Sequence, residues 1–491
     1  MVHVLILIAG VSIYLHESIV GDAEPAAAVG GAIVLVSLLA CWATAAAVIG
    51  WCGRRLDRTG SYRAVLRAER AAAWARIGST AVFVAGVMFS GWLTAVRGVV
   101  GDLVLVDEAL AILPLVGVFC LTWWSLYPIE RRLREAVLLR DLDSGSVVFA
   151  FVSRAQYVLN AVRHQLLIVL APLLLIMGWV ELVDRLARFG PGWAREALSH
   201  PLTFVGVTVW GVAMIFVFSP LLLRRIWKTT PLGAGALRSR IEAMCDRHGV
   251  RIGQLLVWRT HGSLTNAAVM GIWGRFRYVL LTDSLLEHLE PDQVEAVAAH
   301  EIAHVRRRHI PWLAGIILSL ISLVSVPFGR LAVWWFGPQA AEGWAGAAVV
   351  MLAIATAFWG FGFISRRFEW QADAFAAQHM SGWSSRGESE SVVITPEAAS
   401  AMIGALERVA HFNGVAVQRP GWRHGSIAER QDRLRELVGR TANSLPIDRQ
   451  VRWIKRFAVV GFVIAAVLMW WNVQQEGGGA SGPGGPQSVR E

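Results

Sequence analysis

The sequence predicts a mainly α fold: a multispanning helical membrane protein of about nine transmembrane helices, with a smaller α+β domain outside the bilayer. Three observations lead there. Hydrophobic residues fill 55% of 491 positions, the mean hydropathy is +0.50 and only 17% of residues are charged, too apolar for a soluble chain of this size. Apolar runs long enough to cross about 30 Å of hydrocarbon occur near 2–20, 28–52, 74–96, 104–128, 164–184, 203–223, 311–336 and 343–364, with a shorter one near 456–472. Two more polar stretches, 224–310 and 365–455, interrupt these runs and carry helical and strand-like periodicities of their own.

Arginines orient the spans. The formal net charge of +10 comes from 46 Lys+Arg against 36 Asp+Glu, and Lys228 and Lys455 are the two lysines. The link 53–73 carries six arginines and 129–163 another six, whereas 97–103 has one and 185–202 has three. By the positive-inside rule the arginine-rich links face the cytoplasm, so the N-terminus lies inside; strict alternation then puts 224–310 and 365–455 on that same side. A basic excess on one membrane face accounts for the net charge, so the expected partner is the lipid bilayer and no nucleic acid. Arginine-for-lysine and alanine-rich usage points to a high-GC bacterium, hence to an inner (plasma) membrane location.

Met1-Val2-His3 offers no Lys or Arg ahead of the first apolar run and no clear cleavage site follows, so 2–20 reads as a retained span. Cys41, Cys52, Cys120 and Cys245 form no C-x-x-C pair and imply neither a disulfide framework nor a thiolate metal site. The stretch 381–395 reads as a mobile loop and the Gly-, Ser- and Pro-rich Gly477–Gly485 as a disordered tail. The chain therefore divides into N-terminal spans (1–223), the first part of the polar domain (224–310), a membrane hairpin (311–364), its second part (365–455), a last span (456–472) and a tail (473–491).

Within 224–310, Leu237–Met244 reads as an amphipathic helix, Gln254–Trp258 as a short strand and Arg275–Thr282 as a second strand. Next comes a helix of about five turns: Pro291 suits its first turn, Asp292 meets the positive end of its dipole, and no Gly or Pro intervenes before Pro311. Val294, Val297, Ala298, Ile302 and Val305 form its apolar face. His300 and His304, four apart, share a neighbouring face with Glu301 between them. That spacing aims two imidazoles at one Zn²⁺ and leaves a carboxylate beside the open position, where it can take a proton from bound water. The plain alternative is a helix whose histidines make ordinary hydrogen bonds, and a third ligand decides between the two.

The third ligand is expected past the hairpin, in Ser365-Arg366-Arg367-Phe368-Glu369-Trp370-Gln371-Ala372-Asp373. If the span at 343–364 continues as helix, Glu369 and Asp373 share a face, with Glu369 about 7.5 Å beyond the span. His304 lies about 10 Å before Pro311, so the hairpin brings His300, His304 and Glu369 to one depth. Two histidines and a carboxylate leave a fourth position for water, as in catalytic zinc sites, and Asp373 can fix the tautomer of a ligating histidine, His300 for choice. The alternative for Glu369 and Asp373 is a solvated helix exit paired with Arg366 or Arg367.

Together these residues make the chain resemble the integral-membrane zinc metalloproteases of the CAAX prenyl protease 1 type, with HtpX-like proteases as smaller relatives, over about 235–440. The resemblance implies a zincin-like metalloprotease domain built from 224–310 and 365–455, one Zn²⁺ per chain held by His300, His304 and Glu369, Glu301 as general base, and Asp373 behind the ligands. It further implies that Asn266 and Ala267 belong to an edge strand along the substrate backbone. His424-Gly425-Ser426-Ile427-Ala428-Glu429-Arg430 resembles the family's His-Pro-x-x-x-x-Arg segment, which gives His424 to the oxyanion and Arg430 to the polar frame. Gly425 stands where the family has proline, implying a less rigid loop. His309, beside Arg306-Arg307-Arg308, reads as an interfacial residue near anionic headgroups. The expected activity is hydrolysis of membrane-tethered or membrane-proximal polypeptides. The competing readings are an HtpX-like quality-control protease and, from another class, a non-catalytic zinc-clamped receptor or scaffold.

Overall fold

The computed structural model describes residues 2–19, 27–143, 152–385 and 392–478. Gly479–Gly485 and the middle of the 381–395 stretch lie outside them. The described chain is helical apart from one small sheet, and seven of its helices are long and apolar enough to cross a membrane. It is an integral membrane protein whose seven candidate spans overlap seven of the nine expected runs. The run at 2–20 forms a shorter apolar helix, and 456–472 lies inside the last helix of the chain.

The chain forms two compact units. The first comprises 1–229 with 271–276 and holds α1 (Val2–Ile19), α2 (Ala27–Thr59), α3 (Tyr62–Phe89), α4 (Trp92–Val100), α5 (Val106–Asp143), α6 (Arg154–Ala161), α7 (Leu167–Phe189), α8 (Gly192–Ser199) and α9 (Pro201–Ile226). The arginine-rich 53–73 link is helical to within two residues: α2 ends at Thr59, Gly60 turns the chain at φ +60°, and α3 starts at Tyr62. Alanine and arginine are strong helix formers, so both helices run on past their apolar segments until a glycine stops them. Large side chains on α9, such as Leu202, Val209 and Trp210, stay exposed, as a lipid-facing surface requires.

The second unit, 230–270 with 277–491, carries the polar domain. Its sheet has the order β1 (Thr230–Pro231), β2 (Gln254–Trp258), β4 (Tyr278–Thr282), β3 (Ala267–Met270). β2 and β4 are parallel, while β1 and β3 run antiparallel to their neighbours. β2 coincides with the expected strand. The second strand is shorter than expected, because Gly274–Phe276 forms a 3₁₀ turn ahead of it. After α10 (Ala236–His248) and α11 (Asp283–His288), α12 (Pro291–Arg306) crosses behind the sheet. A two-residue turn at Arg307-Arg308, with Arg308 at φ +55°, leads into α13 (His309–Glu342) and back along α14 (Trp344–Met380). α15 (Pro396–Phe412), α16 (Ile427–Arg435) and α17 (Pro446–Gly478) complete the unit.

Small residues set how closely α12 and α14 approach. Ala296, Ala298, Ala299 and Ala303 are fully buried, as are Ala372, Ala376 and Ala377, in one cluster with Phe375 and Ile302. With methyl groups at the crossing, the backbones come near enough for short side chains to meet across it.

Buried behind α12 is a second histidine pair. His248 Nε2 lies 2.9 Å from His379 Nδ1, whose Nε2 is 3.0 Å from Glu295 Oε1, and Arg240 pairs with Glu295 in turn. Burial, with His379, Arg247, Arg306 and Arg307 around it, pushes the His248 imidazole down to about 3. Unfolding restores the ordinary value of 6.5, so below that pH the unfolded chain binds a proton that the folded chain refuses. Stability should therefore fall as the pH drops from 6.5 toward about 3, by on the order of 1 kcal/mol per pH unit. His248→Phe should flatten that fall in unfolding midpoints of the detergent-solubilised protein; an identical pH dependence in both proteins would contradict it.

Candidate metal centre

Helix periodicity places the first two donors. His300 and His304 are one turn apart on α12, and both project across the alanine-lined crossing toward Glu369, which shares a face of α14 with Asp373 one turn on. Ligand-type atoms of His300, His304 and Glu369 all lie within 4.8 Å of one another. The two imidazole Nε2 atoms are 3.3 Å apart, and the Glu369 oxygens stand 3.6 Å from His300 Nε2 and 3.7 Å from His304 Nε2.

The groups behind these donors set their protonation. Asp373 Oδ1 accepts from His300 Nδ1 at 2.9 Å, and Arg430 donates to both Asp373 oxygens at 2.7 and 2.8 Å. Asp373 thus fixes a proton on His300 Nδ1 and turns Nε2 toward His304. Burial opposes a charge on His300, but hydrogen bonds and the fields of Asp373 and Glu369 outweigh it and push the imidazole up to about 10. Burial and the neighbouring His300 push His304 down to about 4. Two buried carboxylates against one arginine leave the cluster short of positive charge, and His300 meets the deficit by holding a proton. Two imidazole nitrogens and a carboxylate also suit a divalent ion of borderline softness, zinc above all. Among the described residues the other such grouping, Asp102, Asp107 and Glu181, is all carboxylate and already paired with Arg97 and Arg185.

The cluster opens into a cavity of about 780 Å³ whose lining includes Asn266, Ala267, Val269, Glu301, His424 and Arg430. Burial pushes the Glu301 carboxyl up to about 7 against the pull of His300, while the Val269 backbone donates to it. β3 is an edge strand, and Thr282 N–H donates to Asn266 O at 3.0 Å. In an antiparallel pair such bonds alternate, so the backbone groups of Ala267 and Val269 face the cavity rather than β4. Asn266 is exposed, and Ala267 is buried at the cavity wall.

Residues 231–395 match the model of Peptidase family M48. The matched segment holds His300, Glu301, His304, Glu369 and Asp373 and stops short of His424 and Arg430. The chain is 30% identical over 174 residues to a "Protease HtpX homolog" of Aeropyrum pernix, covering 34% of this chain and 51% of that one. To "CAAX prenyl protease 1" of Saccharomyces cerevisiae it is 34% identical over 85 residues, 17% of this chain and 19% of the yeast protein. It thus spans about half the length of the archaeal relative and less of the yeast one. The crystal structure of S. mikatae Ste24p aligns over 82% of this chain and 98% of its own at 16% identity, with a TM-score of 0.36.

Around the matched segment the remaining expected residues fall as follows. His424 is half exposed at the cavity, with Nδ1 3.0 Å from Glu369 Oε2. Gly425 sits at φ +73°, which proline's ring forbids, and it exchanges backbone hydrogen bonds with Gly421 at 2.9 and 3.0 Å. The loop carrying His424 is therefore tied by its own backbone where the family resemblance implied looseness. Arg366 and Arg367 donate to the carbonyls of Trp422 and Phe363, leaving Glu369 and Asp373 to the site.

His309 requires a correction. It is 2% exposed, stacked on Phe368 at 4.3 Å with ring planes 10° apart, and its Nδ1 lies 2.9 Å from His304 Nδ1. The adjacent arginines suggested a headgroup-facing residue; helix α13 starts at His309 itself and turns it inward. The nine-residue spacing from His300 was the available signal, and without tertiary structure it pointed nowhere.

Arg430, 9% exposed, is the counter-charge for both buried carboxylates. Arg430→Met keeps most of its volume and strands them, and is expected to destabilise the protein by about 3–5 kcal/mol. A lower unfolding midpoint in detergent reads this; an unchanged midpoint would show that the carboxylates are neutralised elsewhere.

Proposed function

We propose that the chain is a membrane-embedded zinc metalloendopeptidase acting on membrane-tethered or membrane-proximal polypeptides, with a cytoplasmic catalytic domain made of 224–310 and 365–455. One observation carries the reading: three ligand-type atoms, the half-buried Glu301 carboxylate and the open edge of a strand share one cavity. His300, His304 and Glu369 would hold the ion, which when bound supplies Lewis acidity and a water of lowered pKa. Glu301 accepts that water's proton on its carboxylate and returns a proton to the leaving amine nitrogen. The outward backbone groups of Ala267 and the carbonyl of Val269, next to Asn266, pair with an extended substrate and align its scissile bond over Glu301. His424 at the cavity mouth is the donor for the developing oxyanion, while Asp373 and Arg430 hold His300 in one tautomer. A zinc-clamped receptor or scaffold would have no use for a carboxylate at Glu301.

The favoured substrate class is a lipidated C-terminal peptide, as the name CAAX prenyl protease 1 suggests for that relative, since the motif segment and the number of long apolar helices fit it. The second reading is a quality-control protease of membrane proteins, and alignment length does not choose between the two: 174 and 196 residues align with HtpX-named relatives and 194 with a "CAAX prenyl protease 1 homolog" of Arabidopsis thaliana. The arginine-rich composition accords with a bacterial inner membrane.

Glu301→Gln should keep its zinc and lose cleavage by about 10²–10⁴-fold. Chelation should abolish wild-type cleavage and zinc should restore it. Cleavage of a farnesylated CAAX peptide compared with an unfolded membrane protein separates the substrate classes, and a Glu301→Gln protein cleaving at the wild-type rate would remove Glu301 from the mechanism.

A further inference from the structure

His300 has its proton fixed by Asp373. The matching question for His304 leads through three residues to the last helix of the chain. His304 Nδ1 faces His309 Nδ1 at 2.9 Å, and the other nitrogen of that ring, Nε2, faces Gln371 Oε1 at 2.9 Å. Gln371 Nε2 in turn lies 2.5 Å from Asp448 Oδ1, in the first turn of α17. Asp448 is held by Arg307, whose NH2 is 3.3 Å away and whose carbonyl accepts Lys455 Nζ, also from α17, at 2.7 Å.

Read from its far end, this chain of contacts has a single consistent direction. An ionised Asp448 is acceptor-only, so the Gln371 amide must present its NH₂ to Asp448 and its oxygen to His309. An oxygen there requires His309 to carry its proton on Nε2, which leaves His309 Nδ1 as an acceptor. His304 must then donate from Nδ1, and its Nε2 is left with a lone pair directed at His300 and Glu369. We propose that His309, Gln371 and Asp448 form a positioning relay that fixes the tautomer and ring orientation of His304, with α17 as its anchor. The inference rests on the metal-site reading above and gives the helix beyond the family-matched segment a function: Asp448 and Lys455 grip Arg307 just past α12, tying the ligand helix to it. Phe368, stacked on His309, keeps that ring in the plane the relay needs.

The test uses full-length, detergent-solubilised protein, stripped of metal and titrated with zinc against a chromophoric chelator, alongside the visible absorption of the cobalt-loaded form. Gln371→Met and, at the more accessible end, Asp448→Leu, which removes the acceptor, should each weaken zinc about 10–100-fold and shift the cobalt bands. The double variant Gln371→Glu/Asp448→Asn restores the direction of every hydrogen bond, because a carboxylate at 371 accepts from both His309 and the new amide at 448. It should recover affinity and spectrum toward wild type, which a loss of packing alone would not allow. Wild-type affinity and cobalt spectrum in both single variants, or a double variant no better than Gln371→Met, would overturn the relay. Wild-type protein that takes up neither metal would instead overturn the site reading on which the relay rests.

Discussion

Two imidazole Nε2 atoms face one another 3.3 Å apart beside a buried carboxylate. That arrangement is unfavourable unless something positive stands among them, and the rest of the second unit can be understood as the means of enforcing it. Asp373 and Arg430 direct the proton of His300 away from the centre. Alanines at the α12–α14 crossing let Glu369 reach across. Burial disfavours a charge on His300, yet hydrogen bonds to Asp373 and Glu369 and their fields outweigh it and push the imidazole up to about 10, an expression of the same demand for positive charge.

α13 and α14 form a hairpin whose outer surface is apolar and whose backbone groups are satisfied within the helices, so its base is held where the ligands converge. On that base the polar domain needs little secondary structure of its own: four short strands, of which the edge strand matters most because its outward backbone groups line the cavity. Glu301 occupies the remaining wall, buried enough to shift toward neutrality and steadied by a backbone donor from that same strand.

Much of this was legible in the sequence because it depends on periodicity. His300, Glu301 and His304 follow from helical spacing, and Glu369 with Asp373 from continuing that spacing past an apolar run of known length. β2 was legible because its apolar run is short and bounded. Where apolar length alone had to define an element, the result was coarser: the arginine-rich links proved helical, since nothing in a polar helix extension differs from a link until a glycine such as Gly60 breaks it. His309 and Gln371 were invisible for another reason. Their partners are 62 and 77 residues away in sequence, on helices whose packing no local pattern records, and arginines beside His309 suggested the wrong environment.

The central claim is that His300, His304 and Glu369 bind one zinc ion, and X-ray absorption at the zinc edge on purified full-length protein tests it most directly. The account predicts one zinc per chain in a first shell of two imidazole nitrogens at about 2.0–2.1 Å plus oxygens, with no sulfur. It also predicts that the two-imidazole signature disappears in His304→Ala. A sulfur-containing shell, or a signature unchanged by removing His304, would contradict it.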